Sequence, residues 1–464
     1  MFSPQAKRSG LLPQERQLRR QPLVLCPACK RRVSRPGAPT APLGHSTVAP
    51  RLGAPSLHIA HCTLHIVNTV STAEQVLREF ITLMQAEHAA PGQQKKCSAL
   101  CKNLWFALQR HRAQLDWLLD RNCKKLRSRE RILLWWALLE CYALQGLPAP
   151  VATAVATGYA RKRWGAQSVG FINGVLRNIL REVPDAEAFH RLIAQEAPSD
   201  VACGLPKLLY THWCREFGPD YTSALARILQ QPAAITARLR GCFRGERYGR
   251  PYPAGGVMQT SGQDFPPEQY YMQDSSTLLA PFLLAPRPGE DIADLCAAPG
   301  GKSLIIAEML NGTGSLFSAD RSEKRLERLG ENLAGYNNIT IAVADAATPS
   351  PKLYAHFDAI LLDVPCSNTG VIRRRPDARW NFSESKLAEL VALQRTILEG
   401  AIKCLKPTGR IVYSTCSIEP DENIRQVEAF VAAHPEFTLV TARQLFPSTE
   451  HDGAFAAVLQ RKPL

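Results

Sequence analysis

The sequence lacks the features that mark membrane and exported proteins. No apolar run in its 464 residues approaches the ~18–20 residues that a membrane span needs. The basic amino terminus has no apolar core of the signal-peptide kind, so an organelle transit peptide is the alternative to cytoplasmic residence. The fourteen cysteines are scattered and form no dense framework of the small secreted kind. These absences favour a cytoplasmic protein with reduced cysteines and no membrane partner.

Acidic residues are scarce at the start of the chain. Residues 1–70 contain ten lysines and arginines but one acid, Glu15, and so carry +9 of the total charge of +15. They are rich in proline, arginine, glycine and serine without sustained periodicity, which predicts a basic and mostly disordered extension. The positive charge makes a polyanionic partner such as nucleic acid plausible.

The same extension contains two ligand pairs with the two-residue spacing of zinc sites. They are Cys26 with Cys29, and Cys62 with His65. The segment between the pairs is long and low in complexity, and further histidines crowd the second pair. We therefore predict no bound metal and keep a structural zinc site as the alternative.

The stretch "DLCAAPGGKS" (residues 294–303) lacks both familiar phosphate-binding patterns. A phosphate loop would need glycine where Cys296 stands. The dinucleotide pattern G-x-G-x-x-G fails as well, because the only glycines here are the adjacent Gly300 and Gly301. The rest of the chain must therefore identify the ligand of this turn.

From residue 71 the sequence pattern changes to long amphipathic segments. Stretches such as "TAEQVLREFITLMQAEH" and "SRERILLWWALLECYALQGL" repeat apolar residues at i, i+3 and i+4, and breakers such as "GLPAP" separate them. This predicts an all-helical domain over residues 71–195. Two further helical patterns, "LPKLLYTHWCREFG" and "TSALARILQQP", predict a helical linker within residues 196–269.

Near residue 290 short apolar strands begin to alternate with helices, as in "EDIADLC", "GGKSLIIAEMLN" and "GSLFSAD". This alternation predicts a doubly wound, Rossmann-like α/β sheet within a domain of residues 270–464. The final stretches "FTLV" and "GAFAAVLQR" predict two more strands that form an edge hairpin. Ligands of such sheets bind beyond the carboxyl ends of the strands.

Polar residues stand at those strand ends. An isolated aspartate at a strand end is usually a turn or a helix cap, but here four acids end successive predicted strands: Asp294, Asp320, Asp345 and Asp363. Two cysteines, Cys366 and Cys416, follow the fourth and fifth strands. A thiolate beside a nucleoside-type ligand suits covalent catalysis, and methylation of carbon 5 of cytosine is one reaction that needs both.

These motifs resemble a known family. "DLCAAPGGKS", "DVPCSNTGVIRRRPDARW" and "YSTCSIEPDEN", with "MQDSSTLLA" and "HDGAFAAVL", are similar to the motifs of the RNA cytosine-5 methyltransferases. "LPAPVATAVATGYARK" and "FINGVLRNILRE" resemble the NusB-like domain that precedes the catalytic domain in bacterial small-subunit rRNA methyltransferases. The resemblance implies an N-terminal all-α NusB-like domain, followed by a Rossmann-like class I S-adenosylmethionine-dependent methyltransferase domain. It also implies a small RNA-contacting subdomain before residue 270, here reduced.

The resemblance implies a role for each site residue. Cys416 would be the nucleophile that adds to the base, Cys366 would assist release of the product, and Asp363 would contact the base and the methionine end of the cofactor. Asp320 would hold the ribose of S-adenosylmethionine, and Asp345 would flank its adenine. The residues that would wrap this cofactor are Cys296, Ala297, Ala298, Pro299, Gly300, Gly301 and Lys302.

The substrate implied by the resemblance is 16S rRNA, free or in early small-subunit assembly, methylated by a monomeric enzyme. Four arginines beside Cys366 are expected to contact phosphates: Arg373, Arg374, Arg375 and Arg379. Taken alone, these arginines would be a solvated charged loop. Two alternatives stay open, a tRNA cytosine-5 methyltransferase and a non-catalytic RNA-binding or antitermination-type factor.

Overall fold

The computed structural model describes residues 56–87, 97–241, 257–259, 266 and 268–463. The first part of the chain is helical, and side-chain caps on Ser98 and Asp185 start two of its helices. Large apolar side chains such as Trp105, Trp136 and Phe80 fill its core. The helices are α1 (Ser56–Glu87), α2 (Ala99–Asn122), α3 (Ser128–Leu139), α4 (Ala149–Trp164), α5 (Ala166–Glu182) and α6 (Ala186–Glu196).

The first helix begins earlier than the sequence predicts. Helix α1 starts at Ser56, inside the segment expected to be an extension up to residue 70. Apolar residues recur there at helical spacing, but they follow directly on a stretch rich in proline and arginine. Cys26 and Cys29 lie outside the described residues, and Cys62 lies within α1. In the described part of the chain, no cluster of three or more histidine, cysteine or acidic side chains could hold a metal ion.

A helical linker and a small sheet join the helical part to the large sheet. A short helix that was not predicted, α7 (Ser199–Ala202), precedes the two predicted linker helices, α8 (Lys207–Phe217) and α9 (Pro219–Leu229). An antiparallel sheet follows them, with the strands β1 (Thr236–Leu239), β2 (Val257–Gln259) and β3 (Tyr270–Met272). Their order in the sheet is β2-β1-β3. These strands are too short for periodicity to predict.

The carboxyl-terminal part is a seven-stranded sheet with the order β6-β5-β4-β7-β8-β10-β9. The five strands β6, β5, β4, β7 and β8 pair in parallel, and β10 pairs antiparallel with its two neighbours, β8 and β9. The Rossmann-like sheet and its closing hairpin are therefore confirmed. The strands are β4 (Asp291–Asp294), β5 (Ser315–Asp320), β6 (Ile339–Val343), β7 (Phe357–Asp363), β8 (Leu405–Thr415), β9 (Phe437–Leu445) and β10 (Ala454–Arg461).

Helices cover both faces of this sheet. The helices of this part are α10 (Leu279–Leu284), α11 (Gly301–Leu310), α12 (Glu323–Leu333), α13 (Ala378–Asn381), α14 (Glu384–Cys404) and α15 (Ile424–Ala433). Alternate residues of β7 point to opposite faces: Ile360 and Leu362 pack with α14 and α15, whereas Ala359 and Leu361 pack with α10 and α11. Burial on both faces explains the near-continuous apolar sequence of β7.

The strand order reverses between β4 and β7. Such a reversal opens a crevice at the carboxyl ends of the two strands, and ligands of open α/β sheets bind there. Among the described residues, no helix is long and apolar enough to cross a membrane.

Candidate active site

A cavity of about 410 Å³ lies at this crevice. Its wall includes residues 296–299, Gly301 and Lys302 from the turn after β4, Asp363 from the end of β7 and Cys416 from the end of β8. Residues that the sequence placed at separate strand ends are therefore brought together. Parallel strands make this possible, because their carboxyl ends meet at one edge of the sheet.

The turn after β4 depends on its two glycines. Gly300 has φ of 105°, a left-handed conformation that side chains rarely adopt. A Cβ atom on Gly301 would lie 2.9 Å from Cε1 of Tyr271, a side chain from β3 of the small sheet. The turn therefore brings bare backbone close to the cavity and to the small sheet at the same point.

Lys302 and Asp363 form an ion pair inside the cavity, with 2.7 Å between Nζ and Oδ2. Burial alone would lower the pKa of Lys302, but the carboxylate of Asp363 outweighs it and the pKa is raised. Lys302 therefore keeps its positive charge beside this carboxylate, and the pair forms one polar wall of the cavity.

Asp294 at the end of β4 is almost fully buried in the same wall. Its Oδ2 accepts a hydrogen bond of 2.7 Å from Ser303, while its Oδ1 has no partner among the described residues. Burial raises the pKa of Asp294 to about 7, against the hydrogen bond from Ser303. Its position at a strand end signalled this residue, but the sequence assigned it no role in the site.

The two cysteines meet across adjacent strands. The Sγ atoms of Cys366 and Cys416 are 3.2 Å apart, and the thiol of Cys416 also donates to Oδ1 of Asn368 at 3.2 Å. The hydrogen bond with Cys416, followed by burial and the neighbouring charge, raises the pKa of Cys366 well above its ordinary value. Cys366 therefore holds its proton firmly, directly against the sulfur of Cys416.

Sequence reasoning missed a buried glutamate that joins the segments after the two cysteines. Glu422 has no exposed surface and accepts hydrogen bonds from the backbone N–H and hydroxyl of Ser367, at 2.8 and 2.6 Å, and from Gln394 at 3.0 Å. Burial raises its pKa, although these hydrogen bonds oppose the shift. The sequence signal that could have identified Glu422 was its position in the motif "SIEPDEN". Glu422 ties the Cys416 segment (residues 416–423) to the Cys366 segment (residues 364–380).

Asp320 and Asp345 stand at the ends of β5 and β6, as the sequence predicts. Asp320 is buried, accepts a hydrogen bond of 3.3 Å from the N–H of Ala298 and pairs with Arg325 at 3.1 Å. Asp345 is exposed and accepts from the N–H of Ala347 at 2.9 Å. Both lie outside the wall of the cavity, and their contacts with ribose and adenine stay predictions.

The arginines of the Cys366 segment do not form the phosphate-binding group that the sequence suggests. Arg379 has no exposed surface and donates to the carbonyl oxygens of Gly204, at 2.8 Å, and Leu229, at 3.1 Å. Arg373 is 4% exposed and donates to the carbonyl oxygens of Ser448 and Pro232. The expectation of phosphate contacts is wrong for these two, because packing against the linker occupies their guanidinium groups.

The two remaining arginines differ from each other. Arg374 lines the cavity, where two buried carboxylates, Asp274 at 2.6 Å and Asp452 at 2.5 Å, hold its guanidinium. Arg375 is exposed. Phosphate contact therefore remains a prediction for the exposed Arg375 and for the partly exposed Arg374. Nothing in the sequence pattern distinguished these two from their buried neighbours.

Both the helical part and the large-sheet part of the chain match known protein families. The model of a family described as 16S rRNA methyltransferase RsmB/F matches residues 281–460, and that of the NusB family matches residues 59–181. Two similar proteins are named ribosomal RNA small subunit methyltransferase B. The one from Salmonella newport is 32% identical, covering 80% of this chain and 93% of its own length. The one from Vibrio cholerae is 31% identical, covering 87% and 100%.

A solved structure supports the fold independently. The crystal structure of a protein named PH0851 superposes with a TM-score of 0.66 at 22% identity, and covers 84% of this chain and 98% of that one. The similarity of fold therefore extends across most of the chain.

Proposed function

Because this chain belongs to the family of ribosomal RNA small subunit methyltransferase B, an S-adenosylmethionine-dependent family, we propose that it methylates carbon 5 of a cytosine in 16S rRNA through a covalent adduct with Cys416. The observation that carries this proposal is the pair of thiols 3.2 Å apart, with Cys416 in the cavity wall and Cys366 directly against it. A methyl transfer to an already nucleophilic atom would need no cysteine pair.

The cavity suits S-adenosylmethionine, which carries a methionine ammonium group and no phosphate. The unpartnered Oδ1 of Asp294 and the carboxylate of Asp363 supply hydrogen-bond acceptors for this group in the wall. Gly300 allows the left-handed turn and Gly301 brings bare backbone to the cavity wall, and the turn needs no phosphate cradle. We propose that residues 296–302 hold this cofactor together with Asp320, Asp345 and Asp363. When bound, it supplies an electrophilic methyl group.

The residues of the chain provide the remaining chemistry. Carbon 5 of cytosine is too weak a nucleophile to accept a methyl group directly. Addition of the Cys416 thiolate to carbon 6 forms a carbon–sulfur bond and moves the double bond to carbons 4 and 5, as ring nitrogen 3 takes up a proton from water; the resulting enamine is nucleophilic at carbon 5. Asp363, held by Lys302, is the carboxyl group expected to stabilise the protonated ring nitrogen during this step.

Release reverses the addition after methylation. Carbon 5 loses its proton to a water molecule, the carbon–sulfur bond breaks, and the electron pair of that bond returns to the sulfur of Cys416 as a thiolate. Cys366 is proposed to assist this elimination, since its sulfur lies against that of Cys416 and its raised pKa keeps a proton available there. The target base must leave its helical stack to reach the cavity, so an unpaired or flipped cytosine is expected.

The substrate proposal includes the state of the RNA. We propose that a monomer acts in the cytoplasm on 16S rRNA, free or in early small-subunit assembly, and that the NusB-like helical domain contributes to RNA binding. Transfer of labelled methyl groups to unmodified 16S rRNA is expected, with bisulfite sequencing placing the label on one cytosine. Labelling of tRNA instead would favour the tRNA enzyme, and failure of both RNAs to accept label would favour a non-catalytic RNA-binding factor.

A further inference from the structure

The Cys416 segment is anchored to the linker helices through a buried carboxylate. Glu419 has no exposed surface and accepts a hydrogen bond of 2.9 Å from Nε1 of Trp213, while Nε2 of His212 lies 2.8 Å from its other oxygen. Arg215 lies 2.9 Å from Nδ1 of His212, and because a guanidinium only donates, Nδ1 accepts and Nε2 carries the proton. Both oxygens of Glu419 are therefore held by one helix, α8.

The Cys366 segment is anchored to the same helices through a buried cation. Arg379 donates to the carbonyl oxygen of Gly204, between α7 and α8, and to that of Leu229, the last residue of α9. A third and longer hydrogen bond, of 3.4 Å, reaches the carbonyl oxygen of Arg110 on α2. One side chain thus fastens the segment to three parts of the helical region.

Apolar packing joins the same elements. Ile372 and Ala378 from the Cys366 segment and Ile418 from the Cys416 segment are buried in one cluster with the linker helices. The linker supplies the other members of this cluster: Leu205, Leu209, Trp213, Leu225, Ala226 and Leu229. The two catalytic segments therefore share a small hydrophobic core that belongs neither to the large sheet nor to the first helical part.

We propose that the linker helices α7–α9 form a bracket that sets the separation of the two cysteine thiols, with Glu419 and Arg379 as its positioning residues. Neither side chain lines the cavity, so both act through the segments that follow Cys416 and Cys366. The meaning of this inference for catalysis rests on the proposed function. The bracket itself can be tested without RNA, because the distance between the two sulfurs is a property of the protein.

The effect on the reaction follows from geometry. A nucleophile and its assisting group must be held within a fraction of an ångström, and a displacement of ~1 Å costs on the order of 10²-fold in rate. A loosened bracket should therefore lower kcat while leaving binding at the turn after β4 intact. A residue that only stabilised the fold would leave kcat of the folded protein unchanged.

The test uses the full chain with Glu419→Ala and with Trp213→Phe, which removes the indole donor to Glu419 and keeps an aromatic ring in the buried cluster. The pair Cys366 and Cys416 is oxidised with diamide, and peptide mapping measures how fast the linked product forms. Two thiols give up two protons and two electrons to the diamide, and one S–S bond forms. We expect Glu419→Ala to slow this linkage and kcat by about 10-fold or more. Trp213→Phe should have a smaller effect, and Glu419→Gln, which keeps one of the two acceptor oxygens, should restore part of both rates.

The matched control is Glu399→Gln, which alters a histidine–glutamate pair of the same length, 2.8 Å, on the surface at His434. Its linkage rate and kcat should equal those of the unaltered protein. Binding of S-adenosylhomocysteine, measured by calorimetry, should be similar in all variants. If the folded Glu419→Ala and Trp213→Phe variants link their cysteines at the unaltered rate, the bracket is wrong. If the unaltered protein methylates no RNA, the proposed function fails, while the linkage rates still decide on the bracket.

Discussion

Two polar regions of this molecule look equally functional in the sequence, but the structure uses them differently. At the strand ends, the turn after β4, Asp363 and Cys416 converge on one cavity, although Asp320 and Asp345 lie outside its wall. The arginines that follow Cys366 diverge, and Arg373 and Arg379 are buried against the linker. Sheet topology therefore determines where a strand end lies. Whether the charged side chains of a loop are buried or exposed depends instead on which distant segments pack against that loop.

The largest effect is expected at the end of β8. Cys416→Ala removes the proposed nucleophile, so methyl transfer to 16S rRNA should fall by on the order of 10⁴-fold or more. Transfer of labelled methyl groups measures it. Cys123→Ala in the helical part is the control and should retain full activity. A fully active Cys416→Ala enzyme would show that the strand ends do not carry the chemistry.

Cys366→Ala should stop the reaction at a different stage. The addition to carbon 6 depends on Cys416, which remains, but the elimination loses its assisting group. We expect a stable protein–RNA adduct visible on a denaturing gel, with one methyl group transferred per enzyme. Repeated turnover without an adduct would contradict the separate roles of the two thiols.

A smaller loss is expected at the turn after β4. In Gly301→Ala the new Cβ would lie 2.9 Å from Cε1 of Tyr271, so either the ring or the turn must shift. We expect the affinity for S-adenosylmethionine to fall by about 10-fold, measured by calorimetry, because backbone must approach this ligand closely. The matched control is Gly330→Ala within α12, where a Cβ meets no atom within 4 Å. Equal affinities of the two variants would show that the turn does not bind S-adenosylmethionine.

A substitution at the buried end of the Cys366 segment should lower the stability of the protein. Arg379→Met removes the donor to the carbonyl groups of Gly204 and Leu229 and, at 3.4 Å, of Arg110, but it also removes a buried charge, whose pKa burial lowers to about 9. Since each unpaired group costs ~1–3 kcal/mol and loss of the charge offsets part of this, we expect a net destabilisation of about 1–3 kcal/mol. Urea unfolding measures it. Unchanged stability with weaker, less salt-dependent RNA binding would restore the phosphate-binding interpretation.

The sequence predicted what local patterns determine. The alternation of strands and helices, and the positions of Asp294, Asp320 and Asp363 at strand ends, follow from periodicity and from the chemistry of turns. Three features depended on contacts between distant segments and could not be predicted. They are the small sheet that covers Gly301, the burial of Arg379 by a linker 150 residues earlier, and the role of Glu422 between the cysteine segments.

Arg375 gives the smallest expected effect and the sharpest contrast with Arg379. Its side chain is exposed beside the cavity, so Arg375→Ala should leave stability nearly unchanged. If it contacts one phosphate, RNA affinity should fall a few-fold, and the slope of log affinity against log salt should decrease by roughly 0.7–0.9. Arg191→Ala, an exposed arginine on α6 that pairs with Glu187 one turn away, is the control. Equal salt slopes for both variants would mean that neither end of the arginine run binds phosphate, and that the run serves the bracket alone.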